Sequence, residues 1–156
     1  MNSIIEDELP GQQIPRDLLM DMITDQDLAY KLPGHNTTLG ELCEEIGQTQ
    51  QIYTASFRTF KQDWAYRGSK PEATNSVASL KTWYNQLDAE LYQSLSELSE
   101  DDVQNKQIDR GQGFTPSPFV QFQIYREAMY ILFGKASIYL KALEKNLPDQ
   151  WQSWIG

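Results

Sequence analysis

The chain has a single histidine and a single cysteine among its 156 residues. One imidazole cannot build a multi-histidine metal site, and one thiol cannot close an internal disulfide, so folding needs no oxidising compartment. Basic residues are scarce as well: Lys and Arg number 13 against 22 Asp and Glu, for a formal net charge of −9. Nucleic-acid phosphates and anionic lipid surfaces are both bound by clustered Lys and Arg, so this balance argues against nucleic acid and an anionic membrane surface as partners, and neither is expected. No basic segment leads into an apolar run near residue 1, and no stretch approaches the ~18 uninterrupted apolar residues of a membrane span. A cytoplasmic location is the expectation. Also missing are a Gly-rich phosphate loop, a cysteine pair for zinc, a G-x-S-x-G nucleophile turn, internal repeats and sustained period-two alternation, so strands are not expected.

What is present is an apolar content of 40%, ordinary for a folded globule and too rich for disorder. The length suits one domain over 1–156, able to bury about two-thirds of its unfolded surface. Residues 1–13 mix Pro, Gly and acids and read as a loosely ordered arm, with Ile4 and Ile5 as its docking groups. The stretch that organises the rest is Ser117 to Leu147. Ser117 is a good N-cap, Pro118 a good first helical residue, and Pro148 closes the far end. Between them Tyr125, Ala128, Met129, Leu132, Ala136, Tyr139 and Leu143 recur at steps of three and four. Ile124, Ile131, Ile138 and Ala142 widen this stripe on one flank, and Phe122, Phe133 and Leu140 on the other. The arc exceeds half the circumference, so the helix must be covered on both flanks, by other helices or by a second copy of the chain.

Three further helices follow from the same periodicity. Ile14, Leu18, Leu19, Met22 and Ile23 mark a first, with Pro15 near its start and its end by Asp25 to Tyr30, ahead of the Leu32-Pro33-Gly34 turn. The second opens on Thr38-Leu39-Gly40-Glu41, which has capping-box spacing, and its apolar rhythm continues to about Trp64. The third begins at Asn75 or Ser76 and carries Leu80, Trp83, Leu87, Leu91, Leu95 and Leu98. Residues 99–117 form a long crossover across the bundle's end or a short irregular element. Trp151 and Trp154 indicate a last helical turn laid on the bundle. The architecture expected is an all-α four-helix bundle.

Few residues offer chemistry. Cys43, beside Leu42 and Ile46, reads as a small buried hydrophobe, because no His or Lys is close by to lower its pKa. His35 lies in the Pro33-Gly34-His35-Asn36 turn and reads as solvated. Glu44 points away from the second helix's stripe. Glu45 lies on its flank, one turn from Leu42 and Thr49, where a carboxylate could reach a groove or pair with a basic side chain. Tyr125 and Tyr139 can bring hydroxyls to a half-buried place, although aromatics at helical spacing are usually core. Gly134 falls on the outer side of the fourth helix, where close approach of another backbone would explain it.

Leu32-Pro33-Gly34-His35-Asn36-Thr37-Thr38-Leu39-Gly40-Glu41-Leu42, together with Leu132-Phe133-Gly134-Lys135-Ala136-Ser137-Ile138-Tyr139-Leu140-Lys141 and the closing Leu147-Pro148, resembles the DinB/YfiT-like superfamily. In that family a threonine-leucine-glycine-glutamate-leucine run precedes a histidine, and a His-Arg-Gly-Gln signature marks the fourth helix. The resemblance implies a four-helix bundle, homodimers, and a metal held by three histidines, used by hydrolases and thiol-dependent transferases. Those histidines correspond here to Glu45, Ala128 and Leu132. One carboxylate, a methyl and an isobutyl group do not make a transition-metal site, so no metal and no cofactor are expected. The function expected is binding or assembly on a DinB-like scaffold. The alternatives are a metal-dependent hydrolase or thiol-dependent transferase with altered ligands drawn from Glu127, His35 or Tyr125, and a carrier whose small-molecule ligand occupies a cavity lined by Glu45, Thr49, Tyr125, Ala128 and Leu132.

Overall fold

Local capping chemistry sets most of the helix starts. In the computed structural model, which describes residues 1–156, the helices are α1 (Ile14–Met22), α2 (Leu39–Thr59), α3 (Val77–Ser96), α4 (Glu100–Asn105), α5 (Pro118–Ala142) and α6 (Asp149–Trp154). At α2 the Glu41 N–H donates to Thr38 Oγ1 (3.1 Å) and the Thr38 N–H to Glu41 Oε2 (2.7 Å), which closes the expected capping box. Ser76 caps α3 and Ser117 caps α5. Two isolated bridges, Lys31 with Thr38 and Lys61 with Asp109, are the whole of the β pairing.

Helices α1, α2, α3 and α5 form the bundle, with α2 packed against both α3 and α5. Its core joins Leu42, Ile46, Tyr53 and Phe57 of α2 to Leu80, Trp83, Leu87 and Leu91 of α3 and to Phe122, Met129, Leu132 and Leu140 of α5. The α2–α3 approach is close because residue 47 is glycine: a Cβ there would stand 2.2 Å from the Trp83 ring. No helix is long and apolar enough to cross a membrane.

Four features differ from the periodic reading. Helix α2 stops at Thr59, short of Trp64, because Phe60 turns left-handed (φ 55°) and lets Gln62 donate to the Asp109 carbonyl (2.8 Å). Helix α5 stops at Ala142, where Glu144 turns left-handed (φ 56°). The 99–117 crossover contains α4, capped by Ser99 and Asp102. Its far end is tied down at Arg110, which donates to Gln121 Oε1 (2.8 Å), while Gln121 donates to Ser56 Oγ (2.9 Å).

The N-terminal arm is the fourth. It is docked, not loose: residues Ile4–Glu8 form a π-helical turn against α3, with Ile4 and Ile5 buried. Asn2 donates to the carbonyls of Leu95 (2.7 Å) and Leu98 (2.8 Å), in the last turn of α3 and just beyond it, and so ties the arm to that end of the helix. Of the two C-terminal tryptophans, Trp151 is fully buried and Trp154 is 44% exposed.

Candidate functional site

Two places on the bundle could carry function, and both are built on α5. The first is its seam with α2. The Tyr139 hydroxyl donates to the Thr37 carbonyl and Gln121 bonds Ser56, so the helices run antiparallel, with Thr49 level with Ala128 and Glu45 level with Leu132. The five positions expected to line a pocket therefore lie along this seam, but they do not converge. Glu45 is exposed, Thr49 and Ala128 are half-buried, and Leu132 and Tyr125 are in the core. Of the placements open to Glu45 on the flank of α2, the structure shows the solvated one: it is exposed, and its carboxylate reaches neither a groove nor a basic side chain. Glu127 and His35 are exposed as well.

The donor set decides whether a metal fits the seam. No three His, Cys, Asp or Glu side chains come together anywhere in the chain. At Glu45, Ala128 and Leu132, where the resemblance would place histidines, the side chains are a solvated carboxylate, a methyl group and a buried isobutyl group, and a divalent transition metal does not fit them. Cys43 is equally unreactive: burial pushes its thiol up to about 12, against a hydrogen bond involving Tyr84.

The second place is a cleft of about 280 Å³ between the arm, α1, α3 and α5, and Tyr125 is the one expected residue that lines it. Beside it is a buried ion pair absent from the sequence reading. Arg16 is 2% exposed. Its Nη1 donates to Gln50 Oε1 (2.8 Å) and Asp88 Oδ1 (3.0 Å), its Nη2 donates to Asp88 Oδ2, and Gln50 Nε2 donates to Asp88 Oδ1 (2.9 Å). The guanidinium lies 4.5 Å from the Tyr84 ring centroid. Burial works against its charge, and the Asp88 carboxylate more than restores it, so its pKa is raised. Arg16 Nε has no partner.

Each member of this cluster falls on an apolar stripe: Arg16 three before Leu19, Gln50 four after Ile46, Asp88 three before Leu91. A charged or amide residue at a core register was the available signal.

Fold and site together define a helical bundle with an α2–α5 seam that carries no metal-ligand set. The fold is that of the DinB-like proteins, in line with the sequence resemblance. It matches a DinB-like protein from Bacillus subtilis with a TM-score of 0.72, at 15% identity over 94% of this chain and 96% of that one. A DinB-like protein from Bacillus cereus matches with a TM-score of 0.73, at 13% identity over 93% of each chain. No family model matches the sequence, and no curated protein matches it.

Proposed function

We propose that this chain is an assembly scaffold: a DinB-like bundle without a metal site that pairs with a second copy through the open flank of α5. The observation that carries this reading is the arrangement of that flank. Val120 is 43%, Ile131 64% and Ile138 54% exposed, beside a half-buried Ile124 and an exposed Ala142. The series is symmetric about Ile131: Ile124 and Ile138 stand at equal distances on either side, and so do Val120 and Ala142. An antiparallel copy would set Ile131 against its equivalent, Ile124 against Ile138 and Val120 against Ala142, which a two-fold interface requires. At 1.5 Å per residue the stripe is about 33 Å long, enough to seat one helix on another. Nothing within the chain requires glycine at 134, where a Cβ would meet no atom within 4 Å, and close approach of a second copy would account for it.

The hydrolase and transferase alternatives have no support in the donor set of the seam. Cys43, buried and inert, suits a reducing compartment, and we place the protein in the cytoplasm.

Light scattering on the eluting peak is expected to give twice the 18.0 kDa chain mass. Ile131→Asp would set two carboxylates face to face at the two-fold axis, and it is expected to give a folded monomer with unchanged helicity. A wild-type monomer overturns the assembly reading. Stoichiometric zinc, nickel or manganese in untagged protein overturns the loss of the metal.

A further inference from the structure

We propose that the cleft between α1, α3 and α5 is a binding site for a small amine, a compact apolar body with one protonated amino head. Its volume, about 280 Å³, is at the small end of ligand cavities. The walls are apolar: Leu9 from the arm, Leu91 from α3 and Met129 from α5, with Tyr92 at the rim, 49% exposed. The polar part of the lining is Gln12, Gln13, Arg16, Asp88 and the hydroxyl of Tyr125. The two glutamines are neutral amides and Arg16 is committed to Asp88 and Gln50, which leaves Asp88 and Tyr125 to hold the head of an occupant.

Asp88 has acceptor capacity to spare. A carboxylate offers about four lone-pair positions. Arg16 takes two and Gln50 one, while the side chain stays 36% exposed. The Tyr125 hydroxyl makes no hydrogen bond to the protein, although its residue is only 4% exposed. Burial among apolar groups pushes its pKa up, so it stays a neutral phenol able to donate or accept.

The sign of the preferred head follows from what Arg16 is doing. Its two terminal nitrogens are turned onto Asp88 and Gln50, its plane lies over Tyr84, and its one unpartnered nitrogen, Nε, is fully buried, so an anionic head would meet the Asp88 carboxylate edge and not a free donor of the arginine. An ammonium has three donors and no acceptor, which matches a free carboxylate lone pair beside a phenol oxygen. The tyrosine rings of the lining add attraction for a cation, and the chain's −9 charge favours its approach. The ion pair is also better explained as a device that aims Asp88 than as a stabiliser, because apolar replacements of buried ion pairs are often just as stable.

This site is on the opposite side of α5 from the proposed pairing stripe, so the two readings fail independently. The test is a titration of ¹⁵N-labelled protein with 2-phenylethylamine, 2-phenylethanol and phenylacetate. The amine is expected to shift the amides of Leu9, Leu91 and Met129 saturably, and phenylacetate to bind at least about tenfold more weakly. Tyr125→Phe keeps the ring and the packing, and it is expected to weaken the amine by about fivefold or more. Absence of saturable shifts, shifts confined to other residues, equal or tighter binding of phenylacetate, or indifference to Tyr125→Phe each overturns the proposal.

Discussion

Asp88→Ala is expected to destabilise the fold by about 3 kcal/mol, and Arg16→Met by only about 1 kcal/mol. The two residues form one ion pair, but they are buried unequally: Arg16 is 3% exposed at its side chain and Asp88 is 36% exposed. Removing the aspartate leaves a charge that cannot be neutralised inside the protein, with only Gln50 and the Tyr84 ring to hold it. Breaking a buried pair in that way costs about 3–5 kcal/mol, and water entering through the cleft keeps the cost at the lower end. Removing the arginine leaves a carboxylate that water already reaches, and methionine fills most of the vacated volume. The remaining cost is the lost partner of Gln50. Urea unfolding midpoints at neutral pH decide the ranking; equal effects, or a larger effect at Arg16, would mean that the pair's weight rests on packing and not on charge.

Trp151→Ala is expected to cost about 3–5 kcal/mol, the range for emptying a tryptophan-sized place in a core. For a chain of this length that is a fall in Tm of roughly 10 °C or more. Trp151 is fully buried, its ring meets Phe133 edge-on at 6.3 Å, and its Nε1 donates to Ser137 Oγ (3.1 Å). The Ser137 hydroxyl in turn donates to the Gly156 carbonyl (2.6 Å), so one side chain seals α6 to α5. Trp154→Ala, three residues on, removes a ring that is 44% exposed and is expected to change stability by no more than about 0.5 kcal/mol. Thermal scans of the two variants side by side check both values; equal losses would mean that α6 docks through both rings.

That contrast also shows where the sequence was legible. Helix starts at Thr38, Ser76 and Ser117 could be read because a cap is a local event, complete within four residues. Helix ends could not. Phe60 and Trp64 continue the α2 stripe, and only the pairing of Gln62 with Asp109, far along the chain, shows why the helix turns away. Period alone likewise could not separate Trp151 from Trp154, since both lie on a helical turn whose angle to α5 is set by tertiary contacts.

The site residues divide in the same way. Tyr125 was legible as a hydroxyl on a core stripe. The neighbours Leu42 and Thr49 put Glu45 on the flank of the stripe but left groove and solvent both open, and it is exposed, because the angular limit of a buried stripe is set by the partner helix. Arg16, Gln50 and Asp88 went unread because a polar side chain is ordinarily assigned to the surface. Their register with Leu19, Ile46 and Leu91 carried the contrary information.

The N-terminal clip has a kinetic consequence. Asn2 binds carbonyls of residues 95 and 98, and Glu8 pairs with Arg126, so the arm cannot seat until the end of α3 and the middle of α5 already exist. Because these contacts wait on both helices, they are expected to form after the folding barrier and so to govern how quickly the native chain opens. Asn2→Ala is accordingly expected to raise the unfolding rate several-fold while leaving refolding within about twofold of wild type. Stopped-flow chevrons would show the reverse pattern, a slowed refolding limb, if the arm instead belonged to the nucleus.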